Sequence, residues 1–221
     1  MHNKPLAISI IGSGNMAKGI GTRLVAGGHP VSIYSRNAEQ AESLAAELKQ
    51  ESTRDTQVEA RSQGTLLEGE IIILAVPYSV IPEIIKEYSD QLQGKILVDI
   101  SNPVDFKTFE LVTPADSSAA EEISKIVPEG TKVVKAFNTN FAGTLIAGEV
   151  DGKPLDVFMA GDDEESKKVI AHIIRTSGLR PLDVGLLKQA RVLEGIQLIQ
   201  MKLQDDLESN WMSAIKILSV K

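Results

Sequence analysis

An apolar run, Leu6-Ala7-Ile8-Ser9-Ile10-Ile11, passes without a break into Gly12-Ser13-Gly14-Asn15-Met16-Ala17. This junction limits the possible folds more than any other stretch, because a buried strand must turn sharply into a helix with no side chain at the two leading positions. Gly12 suits the tight turn, Gly14 lets a pyrophosphate approach the backbone, and Ala17 is small enough for the helix to pack on the strand. The helix starting near Asn15 offers free N–H groups and a partial positive charge to an anion. About 20 residues further on, a chain built for NAD places Asp or Glu against the ribose 2′-hydroxyl. Here the second strand ends in Ser35-Arg36-Asn37. Ser35 and Arg36 suit a 2′-phosphate, so the dinucleotide implied is NADP(H). Asn37, with Gln40 three residues later, also reads as a helix N-cap in a capping box.

The rest of the chain alternates strands and helices. Helical patterning over residues 16–26 stops at Gly27-Gly28, and a second helix spans 38–49. Residues 71–76 are wholly apolar and close at Pro77, as expected of a strand covered by helices on both faces. A helix over 79–92 leads to a strand at 96–100 that ends in Ser101-Asn102-Pro103. Residues 106–118 read as a loop, of the length that often serves as a lid or binding loop. Further strands fit 132–137, 156–159 and 180–183; Asp162 reads as the N-cap of a helix stopping at Gly178, and 187–218 as one or two helices. The fold expected is α/β: a Rossmann-type, doubly wound, mostly parallel sheet with a small C-terminal helical appendage. Residues 1–185 would form the nucleotide-binding domain and 186–221 the helical segment.

Composition removes several function classes. The 221-residue chain has no cysteine, which excludes thiolate nucleophiles, disulfides and cysteine-held clusters. Its three histidines, His2, His29 and His172, have no ligand spacing, so no metal site is expected. A net charge of −7 argues against nucleic-acid or anionic-membrane partners while permitting a local basic pocket. No apolar run approaches the ~20 residues of a membrane span. No signal peptide is expected before the first strand, and the expected compartment is the cytoplasm.

In a doubly wound sheet ligands sit outside the carboxyl ends of the strands. Those ends carry Gly12 to Met16, Ser35-Arg36, Ala75-Val76-Pro77, Ser101-Asn102-Pro103 and Asn138-Thr139. The amides of Asn102 and Asn138 can bond ribose or a nicotinamide carboxamide, or can simply shape turns. Pro77 can floor the adenosine or just end its strand. Asp99, in an apolar strand, is expected to bond nearby backbone, and the acidic run from Asp162 to Glu165 to cap a helix.

Together with Val98-Asp99-Ile100, Lys135-Ala136-Phe137, Ala160-Gly161-Asp162-Asp163-Glu164 and Gly178 to Gly185, these strand ends resemble the coenzyme F420-dependent NADP oxidoreductase family. They are equally similar to the cytoplasmic reductase domain of the STEAP ferric reductases. The resemblance runs in order to about Ile199, and the C-terminus departs from both patterns. It implies a Rossmann domain that binds NADP(H) and exchanges hydride with a deazaflavin (F420) or a flavin (FMN or FAD). In the deazaflavin branch the second cofactor lies against the nicotinamide, beside a small C-terminal part. In the STEAP branch a membrane domain follows; none is read here, so soluble acceptors are expected.

Hydride exchange between two rings needs little acid–base help, and no catalytic side chain is singled out. Three other readings stand: a soluble ferric or flavin reductase, an imine or hydroxyacid reductase, and a non-catalytic NADP sensor. The apolar positions Ala190, Leu193, Ile196, Ile199 and Leu203 share a helical face, and a homodimer joined through it is expected.

Overall fold

The computed structural model describes residues 5–52 and 54–219; His2 and the last two residues of the C-terminal segment lie outside them. The first half runs β1 (Ile8–Ile11), α1 (Asn15–Ala26), β2 (Val31–Ser35), α2 (Ala38–Glu51), β3 (Val58–Ser62) and β4 (Ile71–Leu74). It continues through α3 (Ile81–Glu87), α4 (Ser89–Leu92), β5 (Ile96–Asp99), β6 (Val104–Asp105) and β7 (Glu110–Leu111). Then come α5 (Ala119–Ile126), β8 (Lys132–Ala136), α6 (Ala142–Ala147), β9 (Glu149–Val150) and β10 (Lys153–Pro154). The chain closes with β11 (Asp156–Gly161), α7 (Glu164–Thr176), β12 (Arg180–Asp183) and α8 (Ala190–Lys202).

Eight strands make one sheet in the order β3-β2-β1-β4-β5-β8-β11-β12. The first six are parallel and reproduce the doubly wound order that reverses direction between β1 and β4. β11 runs antiparallel to β8 and parallel to β12, which keeps the sheet mostly parallel, as expected. Every residue of β1 and β4 is buried, because helices cover both faces. One apolar layer joins Ile20 and Leu24 of α1 and Leu44 and Leu48 of α2 to the sheet. The other joins Ile81, Ile84 and Ile85 of α3 and Ile123 of α5 to its opposite face. Each such side chain contributes about 1.5–3 kcal/mol on burial.

Four local expectations change. The helix expected over 79–92 is divided: a 3-10 turn at Tyr78–Val80 leads into α3, whose first turn carries Pro82, and α4 follows separately. The loop expected over 106–118 contains most of the β6–β7 hairpin. The cap of α7 is Asp163, whose carboxylate accepts from Ser166 N–H at 2.8 Å. Asp162 instead accepts from Leu187 N–H at 2.9 Å and so fixes the approach to α8. Finally, regular helix ends at Lys202, and residues 203–219 return over the domain as turns and an extended strap. Glu208, Asn210 and Trp211 all take positive φ, which no right-handed helix accommodates.

Candidate functional site

The β1 exit and the β4 exit meet at the reversal point. Gly12 has φ +120°, and a Cβ there would lie 2.2 Å from the Ala75 carbonyl oxygen. Its N–H donates to Tyr34 O, while Ala75 N–H donates to Ile11 O. Gly12 is therefore required by the protein itself. Gly14 is not: its φ of −85° is open to any residue, and nothing lies within 4 Å of an added Cβ. That empty approach lies over the start of α1, which has no side-chain cap and no acidic residue in its first turn. The first-turn N–H groups are thus free for an anion. The space in front of Gly14 fits a pyrophosphate.

Beside this turn, Ser13 Oγ and Ser35 Oγ are 2.9 Å apart, and Ser13 also donates to Gln40 Oε1 at 3.3 Å. Arg36 is exposed and, among the described residues, pairs with no carboxylate. Asn37 caps α2, its side chain accepting from Gln40 N–H at 3.1 Å. The reciprocal half of the capping box is replaced, since Asn37 N–H donates to Ser35 Oγ. The ends of β1 and β2 thus hold two serines and a free guanidinium at one edge.

The second half is a cleft of about 590 Å³ between the β1, β4 and β5 exits. Gly14, Asn15, Met16, Ala75, Val76, Pro77, Ser101, Asn102 and Pro103 line it, all singled out in the sequence. Phe106 and Val112 from the β6–β7 region and Met201 from α8 close its far side. Phe106 and Val112 fall in the segment suspected of forming a binding loop, whereas no sequence pattern marks Met201. Among the described residues lining the cleft, Tyr78 is the sole titratable side chain. Burial, with Glu122, Glu194 and Asp99 nearby, holds its hydroxyl above the ordinary tyrosine value.

Asn138 and Thr139 stand behind the cleft. Asn102 Nδ2 donates to Asn138 O at 2.9 Å and Asn138 Nδ2 to Asn102 Oδ1 at 3.0 Å, so the two amides latch the β5 and β8 exits. Phe137, just before, is held at φ +63°, a strained conformation for a bulky residue. Ser101 Oγ, Asn138 Oδ1 and Thr139 Oγ1 are buried without a hydrogen-bond partner among the described residues, a rare condition, at the β5 and β8 exits. A second cavity of about 530 Å³ shares Asn15 and is bounded by Lys18, Phe141 and Trp211. Trp211 packs edge-on to Phe141 with ring centroids 5.2 Å apart.

A buried ion cluster underlies the β5 exit. Lys135, on β8 opposite Asp99 on β5, donates to Asp99 Oδ2 (2.8 Å), Glu194 Oε1 (2.7 Å) and Ser101 O (2.5 Å). All three charged side chains are wholly buried. Burial opposes the ammonium, but the two carboxylates outweigh it and hold the Lys135 pKa above its ordinary value. Burial pushes the Glu194 carboxyl up, with Lys135 acting against that shift. Asp99 bonds nearby backbone as expected, accepting from Ser101 N–H at 2.8 Å, but its ion pair was not anticipated. The available signal was a charge in each of two neighbouring apolar strands.

The family profile described as NADP oxidoreductase coenzyme F420-dependent matches residues 7–103. The F420-dependent NADP reductase of Methanocaldococcus jannaschii is 31% identical over 201 residues, covering 86% of this chain and 89% of that protein. Metalloreductase STEAP3 of Rattus norvegicus is 36% identical over 194 residues, covering 86% of this chain; the chain spans only 36% of that protein's length. A crystal structure from Arthrobacter sp. FB24, provisionally described as an F420-dependent NADP reductase, superposes with a TM-score of 0.77 at 26% identity. That match covers 92% of this chain and 95% of the other. Among the described residues no helix is long and apolar enough to cross a membrane. With the nucleotide-binding turn, the doubly wound order and a near full-length relative in agreement, the chain belongs to the F420-dependent NADP oxidoreductase family of NADP-dependent oxidoreductases.

Proposed function

We propose that this protein transfers hydride between NADPH and a deazaflavin or flavin, with coenzyme F420 the first acceptor to test. The observation that carries the reading is the cleft's lining: apolar walls and amides beside an anion-binding turn, with Tyr78 as the sole titratable group among its described residues. Reduction of an imine or a carbonyl needs a proton delivered at the reacting group, and Tyr78 alone of the described lining could give it. A deazaflavin or flavin instead takes its proton from solvent at a ring nitrogen away from the hydride. Hydride exchange between two rings mainly needs them stacked at reacting distance with water excluded. The size of the cleft is ordinary for a small-molecule site, for which 300–1,000 Å³ is a rough range.

In this reading Gly12, Ser13, Gly14, Asn15 and Met16 hold the pyrophosphate on the start of α1. Ser35, Arg36 and Asn37 meet the 2′-phosphate. Ala75, Val76 and Pro77 floor the ribose, and Ser101, Asn102, Pro103, Asn138 and Thr139 receive the nicotinamide end. The bound dinucleotide supplies the hydride; the protein orients the ring and keeps the cleft dry. Residues 1–185 act as the nucleotide-binding unit and 186–221 complete the acceptor side. The exposed apolar stripe of α8 would join two copies as a homodimer.

The experiment is NADPH oxidation followed with F420, FMN, FAD and a ferric chelate in turn. F420 or flavin turnover supports the reading, and reduction of the ferric chelate alone moves the protein to the metalloreductase class. Tight NADPH binding with no turnover on any of the four makes it a sensor. Arg36→Ala is expected to weaken NADPH binding about tenfold to thirtyfold and to leave NADH within about threefold, the modest size reflecting an exposed contact. Equal losses for both nucleotides would remove Arg36 from the 2′-phosphate.

A further inference from the structure

We propose that Lys135 is a positioning residue for the nicotinamide end of the cleft and that, through Glu194, it makes the geometry of that end depend on helix α8. The proposal rests on the hydride-transfer reading for its kinetic consequence, but its geometry stands apart from it.

The three N–H donors of the ammonium meet three acceptors, Asp99 Oδ2, Glu194 Oε1 and Ser101 O, so the group is saturated. Those acceptors come from β5, α8 and the loop after β5. Glu194 also accepts from Ala119 N–H, at 3.0 and 3.2 Å to its two oxygens, which adds the start of α5. One buried cation on β8 thus ties its own strand to the β5 exit, the start of α5 and α8. Ser101 is held on both sides: its N–H donates to Asp99 Oδ1 and its carbonyl accepts from Lys135. The next residue, Asn102, lines the cleft and is latched to Asn138, three residues beyond Lys135 on the same chain. Neither peptide at the β5 exit can rotate while the cluster is intact.

A buried ion cluster is by itself weak evidence for stability, since apolar replacements are often neutral or better. This one sits where an apolar replacement would leave the Ser101 carbonyl without its donor, at the wall that must orient a ring. Its field also reaches the cleft, because Glu194 and Asp99 are among the groups that raise Tyr78 and Lys135 is the one that lowers it. Supporting groups of this kind matter because a misplacement of about 1 Å in the reacting pair can reduce a rate by about 100-fold.

The test uses the full chain, with NADPH as the probe and coenzyme F420 or FMN as acceptor, whichever the unaltered protein reduces. Lys135→Met is expected to slow single-turnover hydride transfer about 100-fold while NADPH affinity stays within about threefold, because the phosphate contacts lie elsewhere. Bound dihydronicotinamide should also lose fluorescence anisotropy. Glu194→Gln keeps one carbonyl acceptor for Ala119 N–H while removing the charge and one acceptor oxygen, so it carries the same test if Lys135→Met does not fold; its expected loss of rate is about tenfold. Wild-type rate and anisotropy per folded molecule in Glu194→Gln would reduce the cluster to a structural role and overturn the proposal, as would a parallel loss of NADPH affinity and rate. If the unaltered protein binds NADPH but reduces neither acceptor, the hydride-transfer reading fails, and the anisotropy comparison still decides whether Lys135 positions the ring.

Discussion

Helices α1 and α8 stand at opposite ends of the chain and bury opposite kinds of surface. α1 sinks Ala17, Ile20, Leu24 and Val25 into the core. α8 buries Ala190 and Leu193 but also Glu194, Gln197 and Gln200, and it leaves Val192 and Ile199 exposed. The difference lies in what covers each helix. α1 packs on apolar side chains of the sheet, α2 and α6, so its fit rests mainly on shape. The inner face of α8 meets Lys135 at one end and the returning strap at the other, where Gln200 Nε2 donates to Ser213 O at 3.1 Å and Gln204 Nε2 to Ser213 Oγ at 2.8 Å. Buried amides and charges hold only while their partners do. The nucleotide side of the site therefore rests on packing, and the far wall of the cleft on directed bonds contributed by distant residues.

The sharpest way to break this contrast is at the first turn, where packing and ligand requirements can be separated. Gly12→Ala drives a Cβ into the Ala75 carbonyl at a positive φ, and a loss of about 3–5 kcal/mol in unfolding free energy is expected. Gly14→Ala meets nothing in the protein, so stability should change by less than about 1 kcal/mol. NADPH binding should nevertheless fall, because the methyl group occupies the space in front of the helix N-terminus. Denaturant melts paired with NADPH titrations check both. Comparable stability losses in the two variants would mean that Gly14 serves the fold.

The same contrast explains what could be read from the residues. β1, β4 and the turn at Gly12 were legible because their signal is local: unbroken apolar runs, a stop, and a turn that excludes side chains. The cleft lining from Gly14 through Pro103 followed from the rule that ligands gather at strand exits. Lys135, Glu194 and Met201 were not legible, since the first two depend on partners 59 residues apart and the third on where α8 passes the cleft. The apolar face of α8 divides between two environments. Ala190 and Leu193 are buried as the period requires, yet Ile199 and Leu203 face outward while the glutamines face inward. Of the one or two helices expected over 187–218, one forms, and the rest is a strap whose Ser213, Lys216 and Ile217 bond Gln200, Gln204 and Asp156.

A smaller effect tests whether the strap depends on directed bonds. Asp156 is buried beneath it, accepting from Arg180, Lys216 and Ile217 N–H. Burial works against the ionised form, but these partners outweigh it and hold the carboxyl below its ordinary value. A carboxylate depressed in the folded state contributes stability above its unfolded pKa, near 4 as a rough reference, and loses it as pH falls through the lower folded value. The strap should therefore loosen in acid below about pH 4, with Trp211, the single tryptophan, reporting its release from Phe141. Asp156→Asn should show that fluorescence change already at neutral pH, with about 2–3 kcal/mol lost, less than for a fully enclosed pair because Arg180 remains partly exposed. An unchanged acid transition in Asp156→Asn would assign it to other carboxylates.

The smallest expected effect on the fold concerns the outer face of α8. Val192, Ile199 and Leu203 recur at helical spacing, and Ile199 is 61% and Leu203 42% exposed. On a monomer these side chains contribute little, so Ile199→Ser with Leu203→Ser should shift stability by less than about 0.5 kcal/mol at each site. In the homodimer proposed above they form the seam, and the same double substitution should convert a dimeric mass to a monomeric one by light scattering at micromolar concentration. A monomeric mass for the unaltered protein removes the dimer. A dimer that survives the double substitution moves the interface elsewhere, and Leu207, Trp211 and Met212 on the strap are the next exposed apolar positions to test. Either result also sharpens the comparison of the two helices. If the stripe is covered by a second copy, α8 buries apolar surface after all, on the face that one chain leaves open, and its polar inner face is the part reserved for Lys135 and the strap.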